Sequence, residues 1–266
     1  MLRIKDITLG QYAHRESVVH RLDPRTKVVA SFFLMSMILM ISRLELLLLY
    51  LIAILFFYRL SQLKIGLALK NMRPFLWLFL VTFFLHALFT KGKILVQISQ
   101  SSVALTREGM IKGAFYTLRI GILIVLANIL TLTTSPMSLT DAFERFLTPF
   151  KRIGIPAHEI AMMLSISLRF IPILLSEVER IRKAQISRGC RFDGNIIEKI
   201  RSIVPLIVPL FLSTFRRAND LALAMDARCY RGSVERTSYE VLRFRRADLL
   251  ALSFVLISCF PVFLLR

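Results

Sequence analysis

The feature that most constrains this sequence is a set of apolar stretches long enough to cross a lipid bilayer. Pro74–Thr90, Ile120–Leu139 and Leu249–Leu265 contain no Asp, Glu, Lys or Arg at all. Uncharged stretches of about 17–25 residues are typical of transmembrane helices. The composition agrees, since 56% of the residues are hydrophobic and the mean hydropathy is +0.64. These stretches predict three spans and an all-α fold.

A fourth apolar stretch, Val28–Phe57, is interrupted only by Arg43 and Glu45. A single helix of that length would measure about 45 Å, whereas the apolar core of a bilayer is about 30 Å thick. We therefore divide it at Ser42–Glu45 into two short spans joined by a tight turn. Asp23-Pro24 lies just before it and is a helix-start signal, because Asp can cap a helix and Pro suits the first turn. The total is then five spans.

The charge is strongly basic, with 36 Lys and Arg against 17 Asp and Glu. Such an excess is typical of nucleic-acid-binding proteins and also of membrane proteins that keep their basic segments in the cytoplasm. The long uncharged stretches favour the second class, so we expect a lipid bilayer and no nucleic acid as partner. The cysteines Cys190, Cys229 and Cys259 form no disulfide or zinc pattern, and no motif predicts a cofactor or a metal site.

The stretch from Thr140 to Arg246 has a different character, because it holds 19 of the Lys and Arg residues. Its two apolar runs are Ile160–Ser176 and Ile203–Thr214. If the first run crossed alone, the basic segment after it would lie outside, against the positive-inside rule. We therefore predict that both runs are buried or interfacial helices of a cytoplasmic domain.

The distribution of Lys and Arg also predicts the topology of the whole chain. The N-terminus is expected in the cytoplasm and the C-terminus outside. The predicted organisation is a cytoplasmic N-terminal segment (1–27), four transmembrane helices (28–139), a helical cytoplasmic coupling domain (140–246) and a fifth transmembrane helix (247–266).

An internal repeat occurs within the basic domain at an offset of 40 residues. Each copy has its key residues at i, i+3, i+4 and i+7, which places them on one face of a helix. Each copy has a small residue in the middle of that face and ends in Arg, followed by a turn-like stretch. The residues are Ile181, Ala184, Gln185 and Arg188 in the first copy and Leu221, Ala224, Met225 and Arg228 in the second.

An arginine at a helix C-terminus has an ordinary explanation, because the helix dipole favours a solvated cation there. Two matched copies in one domain instead favour paired docking sites for a partner with two similar halves. The planar guanidinium suits this role, because it can bind carboxylates or carbonyls bidentately at an interface.

Several further segments are informative: Leu9-Gly10-Gln11-Tyr12, Ser17, His20-Arg21-Leu22-Asp23-Pro24-Arg25-Thr26-Lys27, Met163-Leu164-Ser165-Ile166-Ser167-Leu168-Arg169-Phe170-Ile171-Pro172 and Glu179-Arg180-Ile181-Arg182-Lys183-Ala184-Gln185. In these residues the sequence resembles the transmembrane T component of energy-coupling factor (ECF) transporters, in the family that includes the cobalt and nickel systems. The resemblance covers nearly the whole chain, and its Gln-Tyr opening is more similar to the shared, vitamin-type group.

The resemblance implies a non-catalytic scaffold in the cell membrane that couples two ATP-binding subunits of ABC type to a substrate-binding S component, for vitamin or metal-ion uptake. In that family two Ala-Arg-Gly-like tripeptides end the helices that dock on the ATPases. They correspond here to Ser187-Arg188-Gly189 and Ala227-Arg228-Cys229. Neither is a full match, so only the role of the arginines is carried over. The substrate is expected to be chosen by the S component.

Two other classes were weighed from the residues. A permease subunit of another ABC-type importer would need a Glu-Ala-Ala type cytoplasmic loop, which we do not find. An integral membrane enzyme would need paired titratable groups inside the spans, and those spans contain little besides His86, which we interpret as a packed or interfacial histidine. Arg169, inside an apolar run, needs a partner, for which Glu177 is a candidate. Gly109 and Gly113 are interpreted as part of a polar loop.

Overall fold

The computed structural model describes residue 15 and residues 17–97, 104–190, 192, 196–232, 244 and 246–264. This part of the chain is helical except for one hairpin, which confirms the all-α fold class. Strand β1 (Ile94–Gln97) pairs antiparallel with β2 (Ala104–Thr106). The helices are α1 (Pro24–Met40), α2 (Leu44–Leu60), α3 (Ile65–Met72), α4 (Leu76–Phe89), α5 (Arg107–Thr133), α6 (Pro136–Leu147), α7 (Ala157–Ser187), α8 (Ile196–Ala227) and α9 (Arg246–Leu264), with 3₁₀ turns at Arg73–Phe75 and Thr148–Ile153.

The described residues fall into two compact units. The first, here called the bundle unit, contains α1 to α5 and α9, and the second, here called the α6–α8 unit, contains α6 to α8. In the bundle unit α5 packs against α1, α2, α3 and α4. The buried core of this unit is aliphatic with two tyrosines. It comprises Ile38, Ile41, Leu46, Leu47, Tyr50, Ile54, Tyr58, Leu63, Ala68, Ile122, Leu126, Ile129 and Leu132.

The predicted division of the first apolar stretch is confirmed. Helix α1 ends at Met40 and α2 begins at Leu44, and the break is made by extended backbone at Ile41 and Arg43 rather than by Gly or Pro. The predicted start is also confirmed, since the Asp23 carboxylate accepts a hydrogen bond from the backbone N–H of Arg25 at 2.9 Å. This cap satisfies one of the free N–H groups at the helix start.

Buried charges join three helix ends in the bundle unit. The Lys27 ammonium, in the first turn of α1, donates to the carbonyls of His20 (2.9 Å) and of Thr133 at the end of α5 (3.0 Å). The backbone N–H of Asp23 donates to Oδ1 of Asp248 at 2.8 Å, and Asp248 is fully buried near the start of α9. Because buried charges are costly without partners, these bonds anchor the points where the chain leaves and re-enters the bundle unit.

The prediction for the fourth span, Ile120–Leu139, is wrong at both ends. Helix α5 starts 13 residues earlier, at Arg107, where the Thr106 hydroxyl accepts from the N–H of Gly109 at 3.1 Å and caps the helix. It ends at Thr133, because Pro136 opens the next helix and the residue before a proline disfavours helical backbone.

The polar-loop interpretation of Gly109 and Gly113 is corrected as well, because both lie buried inside α5. A Cβ atom on Gly109 would come within 2.7 Å of the carbonyl oxygen of His86, and one on Gly113 within 2.8 Å of that of Phe83. Only glycine permits this approach of α5 to the backbone of α4. The Gly-x-x-x-Gly spacing therefore has its usual meaning for packed membrane helices.

Of the two interpretations of His86, packed or interfacial, the structure supports the packed one. Its Nδ1 lies 3.0 Å from the carbonyl oxygen of Thr82, and its ring lies 4.4 Å from that of Tyr116. On the other side of this aromatic cluster, the Arg119 guanidinium lies 5.2 Å from the Tyr116 ring and donates to the carbonyl of Ile41. An arginine of α5 thereby satisfies a carbonyl at the end of α1.

Within the described residues, three helical segments are long and apolar enough to cross a membrane: Gly66–Phe89, which includes α3 and α4, then α5 and α7. Helix α3 lies between the second and third predicted spans, before Pro74. Helix α7 differs more, since its apolar run was predicted inside the cytoplasmic domain as a buried or interfacial helix. Only 6% of its most apolar segment is buried within the chain. The prediction of a buried helix is therefore wrong for this run, and lipid or another protein must cover its apolar surface.

Candidate coupling site

The candidate site consists of the C-terminal ends of α7 and α8, which carry the two repeat copies. The repeat predicted a helix for each copy, and the structure has helices of 31 and 32 residues whose C-terminal parts contain the two copies. Helix α8 is longer than predicted because it continues through Pro205 and Pro209 and through the polar stretch that follows them. Arg188 and Arg228 directly follow the last residues of the two helices, Ser187 and Ala227.

Both helix ends are closed by the same pair of backbone hydrogen bonds. At α7 the N–H of Gly189 donates to the carbonyl of Ile186 (2.9 Å), and that of Cys190 to the carbonyl of Gln185 (3.0 Å). At α8 the equivalent bonds run from Cys229 to Asp226 (2.9 Å) and from Tyr230 to Met225 (3.1 Å). This is the Schellman motif, which satisfies carbonyls that the helix end leaves free. The structure therefore repeats at the 40-residue offset as the sequence does.

The two motifs differ at the residue that must adopt left-handed backbone. Gly189 has φ = +86°, which costs glycine nothing, whereas Cys229 has φ = +55° and carries a side chain. The Schellman motif is thus unstrained at the end of α7, whereas the same motif at the end of α8 has a strained backbone at Cys229.

The predicted site residues have matching exposure in the two copies. Arg188 and Arg228 are exposed, and neither forms an ion pair with any residue that the structure describes. Ala184 and Ala224, one turn earlier, are also exposed, so the face beside each arginine is open and flat. The remaining predicted residues (Ser187, Gly189, Ala227 and Cys229) are exposed too.

Helices α7 and α8 pack antiparallel and are joined by an ion pair that the sequence analysis did not predict. Arg217 Nη2 lies 3.4 Å from Oε2 of Glu177, whose side chain is 16% exposed. The suggested pairing of Glu177 with Arg169 is therefore wrong, because Glu177 is engaged by Arg217 and, at 3.9 Å, by Arg180, while Arg169 is exposed.

This ion pair has a defined place in the repeat. Glu177 and Arg217 are themselves 40 residues apart, and each lies 11 residues before the arginine at the end of its helix. At 1.5 Å per residue, each arginine is about 16 Å from the ion pair along its own helix. Since the helices are antiparallel, the arginines lie on opposite sides of the pair and are not brought together.

A second contact joins the end of α7 to α8. The Gln185 side chain donates to the carbonyl of Pro205 at 3.5 Å. In an unbroken helix that carbonyl would accept from residue 209, but Pro209 has no N–H. Gln185 thus satisfies a carbonyl that the Pro-x-x-x-Pro spacing leaves free. That spacing is a sequence signal for the contact, and hydrophobic periodicity alone does not reveal it.

A bundle of apolar helices joined to a pair of long helices with exposed apolar and basic faces defines an α-helical membrane protein. Residues 15–239 match the family CbiQ, described as cobalt transport protein. The chain belongs to this family, and it is a transmembrane component of an energy-coupling factor transporter.

Its relatives are consistent with that assignment. The chain is 44% identical over 249 residues to the energy-coupling factor transporter transmembrane protein EcfT of Thermosediminibacter oceani, covering 93% of each chain. It is 48% identical to that of Heliobacterium modesticaldum, covering 88% of each, and 40% identical to that of Bacillus subtilis, covering 97% of each.

Proposed function

We propose that this chain is the coupling subunit of an ATP-driven importer, and that the ends of α7 and α8 dock on two ATP-binding subunits of ABC type. The observation that carries this proposal is the repeated helix end, with the same closing hydrogen bonds and an exposed arginine beside an exposed alanine in each copy. One such end has the ordinary explanation of a solvated cation. Two matching ends indicate two similar receiving sites.

The spacing of the arginines supports two partners rather than one. They lie at opposite ends of the antiparallel pair, up to about 33 Å apart at 1.5 Å per residue. That separation exceeds the size of a single groove and is comparable with the diameter of a small domain. Each arginine would then enter a groove on its own ATP-binding subunit and bind carboxylate or carbonyl groups there.

A further part of the proposal concerns the substrate-binding membrane subunit. Helix α8 exposes a long apolar face that begins just before the contact with Gln185 at Pro205 and extends toward the arginine end, with its larger side chains 46–60% exposed: Ile203, Val204, Ile207, Val208, Phe211, Leu212 and Phe215. An exposed apolar patch of this extent marks an interaction site. This face is the seat of the S component, which selects the vitamin or metal ion to be imported.

We also propose how the chain is oriented in the membrane and which subunits hydrolyse ATP. The chain crosses the cell membrane several times, with its N-terminus and the α6–α8 unit in the cytoplasm and its C-terminus outside, as the distribution of Lys and Arg predicts. It binds no nucleotide itself, so ATP hydrolysis is expected only after both ATP-binding subunits are added. Hydrolysis by the isolated, contaminant-free chain would instead support an enzyme.

The test replaces the arginines in the complete complex. Arg188→Glu and Arg228→Glu should each reduce co-purification of the ATP-binding subunits and substrate uptake by about tenfold or more, because a charge-assisted bond contributes about 1.5–3 kcal/mol. Arg231→Glu is the matched control, since Arg231 is exposed but lies beyond the end of α8. Membrane insertion should be normal in all three variants. Unchanged complex yield and uptake in the double variant Arg188→Glu/Arg228→Glu would refute the docking role.

A further inference from the structure

Helix α6 and the 3₁₀ turn after it form a continuous element with one apolar face. Large apolar side chains recur at intervals of four, three and four residues, which places them on one side of the helix. These residues, here called the α6 stripe, are Leu139, Phe143, Phe146 and Phe150. Gly154, with φ = +88°, ends the element.

The α6 stripe is exposed although α6 packs against α7. Its four side chains are 37–53% exposed, and Ile153 at the end of the turn is 77% exposed. Small residues are buried where the two helices pack: Ala142 of α6, and Ala157 and Ala161 of α7. Ala142 borders the stripe, three residues after Leu139 and four before Phe146, so the contact with α7 leaves the four larger side chains exposed beside it.

Basic residues flank this apolar face. Arg145, Lys151 and Arg152 are all exposed. Helix α6 also carries the acidic residues Asp141 and Glu144, and Glu144 is engaged, because its Oε1 lies 2.7 Å from Nδ1 of His158. An apolar face with Phe and Leu, bordered by Lys and Arg, is the pattern of helices that lie in the bilayer interface.

Chain connectivity determines which occupant fits this surface. Helix α5 can cross a membrane and ends at Thr133, and α6 begins three residues later at Pro136. Three residues reach at most about 11 Å, so the start of α6 cannot be far from the surface of the bilayer. Lipid is thus close to the start of α6, where the stripe begins at Leu139, before any other subunit binds.

We propose that residues 136–153 form a membrane-surface element. In it the α6 stripe inserts at the level of the lipid headgroups, and Lys151 and Arg152 bind anionic headgroups. This site is separate from the arginine ends proposed to dock on ATP-binding subunits, and it does not depend on them.

The experiment uses the full-length chain alone in lipid nanodiscs. The native cysteines are first replaced (Cys190→Ser, Cys229→Gly and Cys259→Ala), and Phe143→Cys, Phe146→Cys and Phe150→Cys are then labelled singly with a nitroxide. Collision rates with oxygen, which partitions into lipid, and with a water-soluble nickel chelate are measured. Thr148→Cys is the matched control, since Thr148 is exposed and lies about half a turn away from both Phe146 and Phe150. The oxygen-to-nickel ratio should be higher at the stripe than at the control by about threefold or more, since the stripe would sit within the headgroup region.

Two outcomes would overturn the proposal. Equal access of the nickel chelate to stripe and control positions would show that the stripe faces water. Shielding from both reagents in the chain alone would show that protein covers the stripe.

A second experiment tests whether Lys151 and Arg152 bind anionic headgroups. Raising phosphatidylglycerol from none to one quarter of the lipid should increase the oxygen-to-nickel ratio at the stripe, and the Lys151→Gln/Arg152→Gln variant should lose that dependence. A ratio insensitive to anionic lipid in the unsubstituted background would overturn the headgroup contact.

Discussion

At the scale of single residues, Cys229 shows how the two repeat copies have diverged. It stands where the first copy has Gly189, and it adopts left-handed backbone with a side chain attached. No heavy atom lies within 4 Å of a Cβ placed on Gly189, so the local difference between the copies is one of backbone strain rather than of packing.

The strain at Cys229 predicts that Cys229→Gly stabilises the end of α8. Left-handed backbone costs a residue with a side chain about 1–2 kcal/mol. Part of that gain is offset because glycine also loses more entropy on folding. Amide hydrogen exchange at positions 229 and 230 should therefore slow by up to about tenfold.

Gly189→Ala serves as the reverse test, since it should speed exchange at Gly189 and Cys190 of α7. If both substitutions changed exchange in the same direction, backbone strain would not be the difference between the two ends.

At the scale of elements, the contact between α4 and α5 depends on the absence of side chains at two positions of α5. We predict that Gly113→Ala destabilises the bundle unit by about 1–3 kcal/mol, because the new Cβ would overpack against the carbonyl of Phe83. Gly121→Ala in the same helix is the control, since its nearest contact would be 3.9 Å away, at Met72.

Thermal unfolding in detergent measures both variants. Gly121→Ala should be neutral or slightly stabilising, as is usual for glycine in a helix interior. A loss of stability as large in Gly121→Ala as in Gly113→Ala would contradict the close-approach explanation.

The end of α7 and the middle of α8 are joined through the carbonyl of Pro205. Gln185→Ala should weaken this contact by about 0.5–1.5 kcal/mol, the typical net value of a hydrogen bond. In a Pro209→Ala background the same substitution should cost less, because residue 209 then supplies an N–H to that carbonyl within α8. A double-mutant cycle on unfolding free energy measures this coupling, and additive effects would show that Gln185 acts independently of Pro209.

Several of these elements were predictable from the sequence and others were not. The break between α1 and α2 followed from length and charge, and the two helix ends followed from the repeat. The early start of α5 was missed because Lys91–Lys112 is polar, while Thr106 caps a helix that tertiary contacts with α4 then stabilise. The full length of α8 was missed because Pro205 and Pro209 are tolerated where Gln185 satisfies one of the carbonyls they affect.

At the scale of the whole molecule, the ion pair between Glu177 and Arg217 joins α7 and α8 where the two helices cross. We predict that Glu177→Arg weakens assembly with the ATP-binding subunits, because it places like charges where the helices cross and so disturbs the position of both ends. The double variant Glu177→Arg/Arg217→Glu should recover most of the assembly by restoring an opposite pair.

Yield of the complex after affinity purification measures both effects. Lys183→Glu is the control, since Lys183 pairs only at the exposed surface of α7, with Glu179 at 3.1 Å, and surface pairs contribute little. No recovery in the double variant would show that charge pairing is not what positions the two ends.

Because Glu177 and Arg217 occupy equivalent positions in the two repeat copies, their ion pair bears on how two ATP-binding subunits would be arranged. A residue that contacts its own equivalent in the other repeat copy lies near an axis of approximate two-fold symmetry, as self-complementary contacts do in symmetric dimers. Glu177 and Arg217 are such equivalents, so the ends of α7 and α8 are related by an approximate half-turn. Two ATP-binding subunits docked on them would be presented to each other in the same relation, as an isologous pair, whether or not the two are identical.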